Sequence, residues 1–172
     1  MGKYKISLFV ILFFLSLSVC NYANIPNFER ESILGGFYPV IPINSTGYTV
    51  LFMGGLSTRE SKLDWYKQII NNNIDNINIS IIVELSELPF FAPKNKVKSK
   101  VKEWCYSLGM EPKYVYNIFY EWSTEIKDAF QTNIKMVSLV ILKNDETYSI
   151  IEGKYTPQKM AQLKNILQNK VR

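Results

Sequence analysis

Tyr48-Thr-Val-Leu-Phe-Met-Gly-Gly-Leu-Ser-Thr-Arg-Glu60 is the stretch that decides how this chain is organised. Its first six residues are apolar, aromatic or β-branched, the make-up of a buried strand. Gly54-Gly55 interrupts the run, and Ser57 with Glu60 three places on has the spacing of a capping box at a helix start. A helical pattern follows from 58 to about 70, with Leu63, Tyr66 or Lys67, and Ile70 one turn apart. Strand, glycine turn and helix in such quick succession open an α/β domain.

The alternation continues downstream. Residues 77–85 form a β-rich run centred on Ile81-Ile82-Val83, and Leu88-Pro-Phe-Phe-Ala-Pro93 breaks it. A lysine-rich helix is expected over about 96–108, with Val97, Val101, Trp104, Cys105 and Leu108 on its apolar face and Gly109 as its stop. A strand over 114–119 and a short helix marked by Trp122, Ile126, Ala129 and Phe130 come next. Residues 137–142 are strongly strand-like, and Asn144-Asp145 turns them back into 147–152 as a hairpin. Thr156-Pro157 opens the last helix as N-cap and first turn, with Met160, Leu163, Ile166, Leu167 and Val171 facing inward. Crossover helices imply parallel neighbours, and the hairpin adds an antiparallel edge. The expected fold is therefore α/β: a mixed central sheet with helices on both faces and a C-terminal β-hairpin plus helix.

Upstream, residues 24–47 are rich in Pro, Gly and Asn and read as a lead-in loop with a short hairpin around 33–43, so the domain proper spans 48–172. Residues 1–23 read as a signal peptide: Lys3 and Lys5 precede an apolar run over 6–19, and Ala23 offers a small residue at the cut. That run is shorter than the about 20 apolar residues of a comfortable bilayer span. The expected location is extracytoplasmic, periplasmic or secreted. Membrane attachment has two routes, an uncleaved signal or a lipidated Cys20, although Val19 stands where a lipoprotein box wants a small residue. Losing residues 1–23 removes two lysines and no acids, so a net charge of +5 becomes +3. So mild a balance gives no basis for a nucleic-acid partner.

The chain has no histidine, which removes the usual general base near neutral pH and the commonest zinc ligand. It has two cysteines, Cys20 and Cys105, and the first lies at the edge of the signal. No disulfide framework, metal or cofactor is expected.

The order of elements resembles the thioredoxin-like superfamily. The segments that carry the likeness are Val50-Leu-Phe-Met-Gly-Gly-Leu-Ser-Thr-Arg-Glu-Ser-Lys62, residues 79–85, and residues 137–152 with the helix after them. Export together with the Gly-x-x-Ser/Thr strand exit is most similar to the YtfJ-type periplasmic proteins, a redoxin-like branch. The resemblance implies a redox Cys-x-x-Cys near Ser57 and Glu60, and neither residue is a cysteine. It implies a cis-proline near Val137. A non-proline cis bond costs about 2.5–4 kcal/mol, so an ordinary trans bond is expected there.

The candidate residues each have two readings. Ser57, Thr58, Arg59 and Glu60 form either an anion-holding helix start or an ordinary capping box. Cys105 is either the thiol of a one-cysteine redoxin, an oxidoreductase or peroxidase, or a small hydrophobe on a buried helix stripe. Phe90 and Phe91, adjacent in a proline-bounded loop, either present an aromatic to a partner or pack over the sheet end. Lys94, Lys96, Lys98, Lys100 and Lys102 read as a solvated face. The acid pairs Asp64 with Glu60 and Glu84 with Glu87 read as surface. The function expected is binding of a protein or peptide without catalysis, in a degenerate family groove formed by the 54–60 turn and the backbone near Val137.

Overall fold

Tyr48–Met53 (β3) is the strand around which the molecule is built, and in the computed structural model it has a neighbour on either side. The structure describes residues 25–26, 28–42, 47–74, 77–107, 117–144 and 146–168. Before β3 come β1 (Glu29–Ser32) and β2 (Phe37–Pro39); after it come a 3-10 turn (Leu56–Thr58), α1 (Arg59–Asn71) and β4 (Ile77–Glu84). The remainder is α2 (Lys94–Ser107), β5 (Ile118–Glu121), α3 (Glu125–Phe130), β6 (Ser138–Lys143), β7 (Glu146–Glu152) and α4 (Pro157–Gln168).

These strands form one seven-stranded sheet in the order β2-β1-β5-β4-β3-β6-β7. β3, β4 and β5 run parallel, as the intervening helices require, whereas β6, β7, β1 and β2 are antiparallel additions. The expected mixed sheet with a closing hairpin and helix is the one observed.

Both faces of the sheet are covered, which is why its central strands are continuous apolar runs. Val50, Phe52, Ile81, Val83, Leu139 and Ile141 face one core with α1, α2 and α4. Leu51, Met53, Ile82, Phe119, Val140 and Leu142 face the other, under Ile126 and Phe130 of α3 and under Phe28, Val40 and Ile41 from the chain before β3.

That upstream chain is more structured than its composition suggests. The hairpin expected around 33–43 lies earlier, at 29–39, and pairs with the far edge of the sheet at Glu31↔Tyr120 and Ser32↔Phe119. Its first strand, Glu-Arg-Glu-Ser, has no apolar alternation to announce it. Charge holds it instead. Arg30 Nε donates to Glu121 at 2.6 Å and Lys98 Nζ to Glu31 at 2.7 Å. The Ser80 hydroxyl donates to the Val40 carbonyl at 2.7 Å, fastening the segment to β4.

The inward face of α1 is Lys62, Trp65, Tyr66 and Ile69, one residue out of step with the expected Leu63, Tyr66 or Lys67, and Ile70. A buried lysine in the stripe masks the true period, and Ile70 is left 37% exposed. Trp65 donates from Nε1 to the Gly153 carbonyl at 3.0 Å and meets Tyr155 edge-on, joining α1 to the corner before α4. On α2, Val101 and Cys105 are buried and Val97 and Trp104 pack against the core as expected; Leu108 and Gly109 lie outside the described residues. The expected cap of α4 is present, with the Lys159 amide donating to Thr156 Oγ1 at 3.2 Å. Strand β5 begins later than the expected 114–119, of which 114–116 lie outside the described residues, as do Val171 and the signal segment 1–23.

Arg30→Ala leaves the Glu121 carboxylate, 1% exposed, without its cation. It is expected to lower stability by about 3 kcal/mol, read as a fall in urea midpoint at unchanged slope.

Candidate functional site

The sheet's carboxyl end, where β3 hands over to α1, gathers most of the chemistry-bearing side chains. Gly54 adopts φ +130°, and a Cβ there would stand 2.5 Å from Thr58 Oγ1 and 2.8 Å from the Met136 carbonyl. Only glycine lets the chain pass between α1 and the segment leading into β6.

The capping box expected from Ser57 and Glu60 does not form. The 3-10 turn intervenes, α1 begins behind Thr58, and no side chain caps it. Thr58 is buried, and its hydroxyl is committed as a donor to the Gly55 carbonyl at 2.9 Å. Ser57, Arg59 and Glu60 face solvent.

Beneath this turn lies Lys62, which sequence reasoning did not single out. The ladder between β3 and β4 runs to Phe52↔Ile81 and is met again at Gly55↔Glu84. In the interval Lys62 Nζ donates to the carbonyls of Gly54 at 2.7 Å and Ile82 at 3.0 Å. Burial pulls its pKa down to about 7, with the acidic groups of Glu84 and Cys105 acting in the opposite sense.

Glu84 is the second residue missed, and its expected place on the surface is corrected here. It is 2% exposed, at the last position of β4, and neither carboxylate oxygen has a hydrogen-bond partner among the described residues. Register places it beside Glu121 of β5. Burial first and the Glu121 charge second push its pKa up to about 7, with Lys127 and Lys62 opposing and Asp128 adding. The signal that could have exposed it was position: strand alternation after Ile82 puts residue 84 on a buried face.

Cys105 is fully buried on α2, and burial pushes its thiol up to about 11. Val137 is also buried, and its carbonyl accepts from the Gly153 amide at 2.7 Å. No cis peptide bond occurs among the described residues, in keeping with the trans bond expected there. The backbone of the 54–60 turn is likewise engaged: the Gly55 amide donates to the Ile134 carbonyl at 2.8 Å, and the Gly54 carbonyl takes Lys62. Phe90 and Phe91 stand away from this site, in the β4–α2 loop, 98% and 75% exposed. The lysines of α2 are not one solvated face. Lys98 is ion-paired, and Lys94 lies over the Trp122 ring at 5.0 Å. No cluster of three or more metal-ligating side chains occurs among the described residues.

Solved structures share this arrangement of strands and helices. A DsbF homologue from Corynebacterium diphtheriae superposes with a TM-score of 0.60 at 11% identity, over 83% of this chain and 85% of that one. The chain has the thioredoxin fold. A putative thioredoxin from Neisseria meningitidis gives 0.58 at 13% identity over 86% and 92% of the two chains. The exposed lipoprotein thioredoxin of Streptococcus pneumoniae gives 0.52 at 13% over 82% and 98%. No protein-family model matches the sequence, and neither does any curated protein. At such identities the likeness is one of fold. Within the thioredoxin fold this chain has no Cys-x-x-Cys, and the strand exit is occupied by glycines, a threonine and a buried amine.

Lys62 and Glu84 act on stability in opposite pH ranges. With Glu84 raised from 4.5 to about 7, the native state holds the extra proton in that window, so stability falls as pH rises through it. With Lys62 lowered from 10.5 to about 7, the unfolded state holds the extra proton from 7 upward, so stability recovers there. Glu84→Gln mimics the protonated acid. It is expected to match the parent in urea denaturation near pH 4.5 and to exceed it at pH 8 by roughly 1–3 kcal/mol. Lys62→Met is expected to remove the recovery above about pH 7.

Proposed function

We propose that this protein is exported and acts by binding a protein or peptide partner, without thiol–disulfide exchange. The observation that carries the reading is the state of Cys105. It is the sole thiol among the described residues, it has no exposed surface, and burial raises its pKa to about 11. Attack on a disulfide or peroxide needs a thiolate that can reach its target. Cys105 meets neither condition. A redoxin mechanism would therefore require α2 to leave the sheet at every turnover.

Five of the residues expected to bind remain available to a partner: Ser57, Arg59, Glu60, Phe90 and Phe91 all face solvent. Thr58 and Val137 are buried and are not available to a partner. The backbone at Val137, Gly54 and Gly55 is already bonded within the fold, which favours recognition by side chains over strand addition. Export rests on the apolar segment 6–19 behind Lys3 and Lys5. The pneumococcal neighbour, described as an exposed lipoprotein, is in accord with it. Among the described residues no helix is long and apolar enough to cross a membrane.

Thiol alkylation of the folded protein, with the modified position located by mass spectrometry, tests the reading. Cys105 is expected to react at least about a hundredfold more slowly at pH 8 than in urea, and Cys105→Ala to have no effect on partner capture. Rapid labelling of native Cys105, accompanied by a reductase or peroxidase activity that C105A loses, would establish the one-cysteine redoxin instead.

A further inference from the structure

An open cavity of about 190 Å³ lies between the start of α1, the end of β4 and one side of α2. Gly55, Leu56, Val83, Leu88, Val97 and Trp104 supply its apolar wall. An apolar cavity of about 150 Å³ is enough to take benzene, so this one has room for a phenyl ring or a branched aliphatic side chain. Its position differs from the backbone groove beside Val137, whose polar groups are spent internally.

Charge makes the cavity selective. Val101 and the buried Lys62, whose amine is spent on two carbonyls, also line it, and Arg59 and Lys100 stand at its solvent-exposed side, where neither side chain forms a hydrogen bond or ion pair among the described residues. By contrast, Arg30 is neutralised by Glu121 and Glu125, and Lys98 by Glu31. No aspartate or glutamate stands in the cavity wall. Two unpaired cations on an apolar pocket are complementary to an anion that carries an apolar group. Leu88 of the wall is followed two residues later by Phe90, which packs edge-on against Phe91 at 5.5 Å between ring centres while both stay exposed. The loop that begins at the cavity wall thus also carries an exposed aromatic pair.

We infer that this cavity is the docking site for an acidic peptide segment that inserts one aromatic or large aliphatic side chain between α1 and α2. The inference rests on the reading of the protein as a binding module and names the chemistry of its partner. The anchor fills the apolar space, and its flanking carboxylates meet Arg59 and Lys100. Such an arrangement gives affinity through the buried side chain and selectivity through charge.

The test is a methyl-resolved NMR titration of the full-length protein with acetyl-Asp-Glu-Phe-Glu-Asp-amide at up to about 1 mM. The Leu56, Leu88 and Val97 methyl resonances are expected to shift. The same peptide with a central alanine is expected to bind at least about tenfold more weakly, and one with lysines in place of the acids not to bind. The double variant Arg59→Gln, Lys100→Gln changes only exposed side chains and is expected to lose about fivefold or more in affinity, together with the salt dependence. Val97→Trp, which fills the pocket, is expected to abolish the shifts. Absence of shifts at these methyls, equal binding of the lysine peptide, or full affinity in R59Q/K100Q each overturns the inference. So does retention of the protein on phosphatidylglycerol vesicles that the acidic peptide fails to displace, which would assign Phe90, Phe91 and the lysines to a membrane surface. Inert Cys105 with unshifted methyls defeats this site alone, whereas reactive Cys105 defeats the binding-module reading beneath it.

Discussion

One lysine side chain holds together the place where the two central parallel strands part. β3 leaves the sheet at Gly54, and the interval that opens before Gly55↔Glu84 exposes carbonyls that water does not reach. Lys62 closes it by donating to Gly54 and Ile82. The Gly54 carbonyl also takes the Glu84 amide at 3.4 Å, and the shorter bonds from Lys62 offset part of the cost of burying an amine whose pKa falls to about 7. The turn, the first helix and the ends of both strands are tied to that one side chain. The wall of the cavity between α1 and α2, which includes Gly55, Leu56 and Lys62, is part of the same assembly.

Burial also decides what chemistry the site has. In a thioredoxin fold a nucleophile at the head of the first helix gains thiolate character from the helix end and from neighbouring cations. Here that stretch holds Ser57 and Glu60, while the available thiol sits on another helix against the core. Desolvation moves Cys105 and Glu84 towards their neutral forms, and Lys62 as well. For Cys105 that means the thiol form, which is the unreactive one, and the Lys62 amine is committed to two backbone carbonyls. What remains outward is side-chain surface: two unpaired cations, an apolar recess and a pair of phenyl rings.

The far edge of the sheet shows charge used for construction. β1 has almost nothing apolar to bury, yet it joins β5 because Arg30 reaches Glu121 and Lys98 of α2 reaches Glu31. Val40 and Ile41 then roof the core that α3, only six residues long, leaves incomplete. Residues ahead of β3 thereby finish the second face of the sheet.

The sequence by itself determined what depends on near neighbours along the chain. The strand–turn–helix from 48 to 71, the hairpin of β6 and β7, the inward face of α2 and the cap at Thr156 all follow from periodicity and turn chemistry, which are local. Tertiary structure alone decided the rest. Lys62 stood outside the expected helical stripe, and Glu84 read as a surface acid, because their burial depends on partners reached only when β3, β4 and β5 assemble. The docking of β1 on β5 joins Arg30 to Glu121 across 91 positions. The cavity is assembled from residues 55 to 104, no two neighbouring pieces of which announce it. Local pattern specifies elements; which charges and apolar surfaces end up facing one another is set by the packing of distant segments.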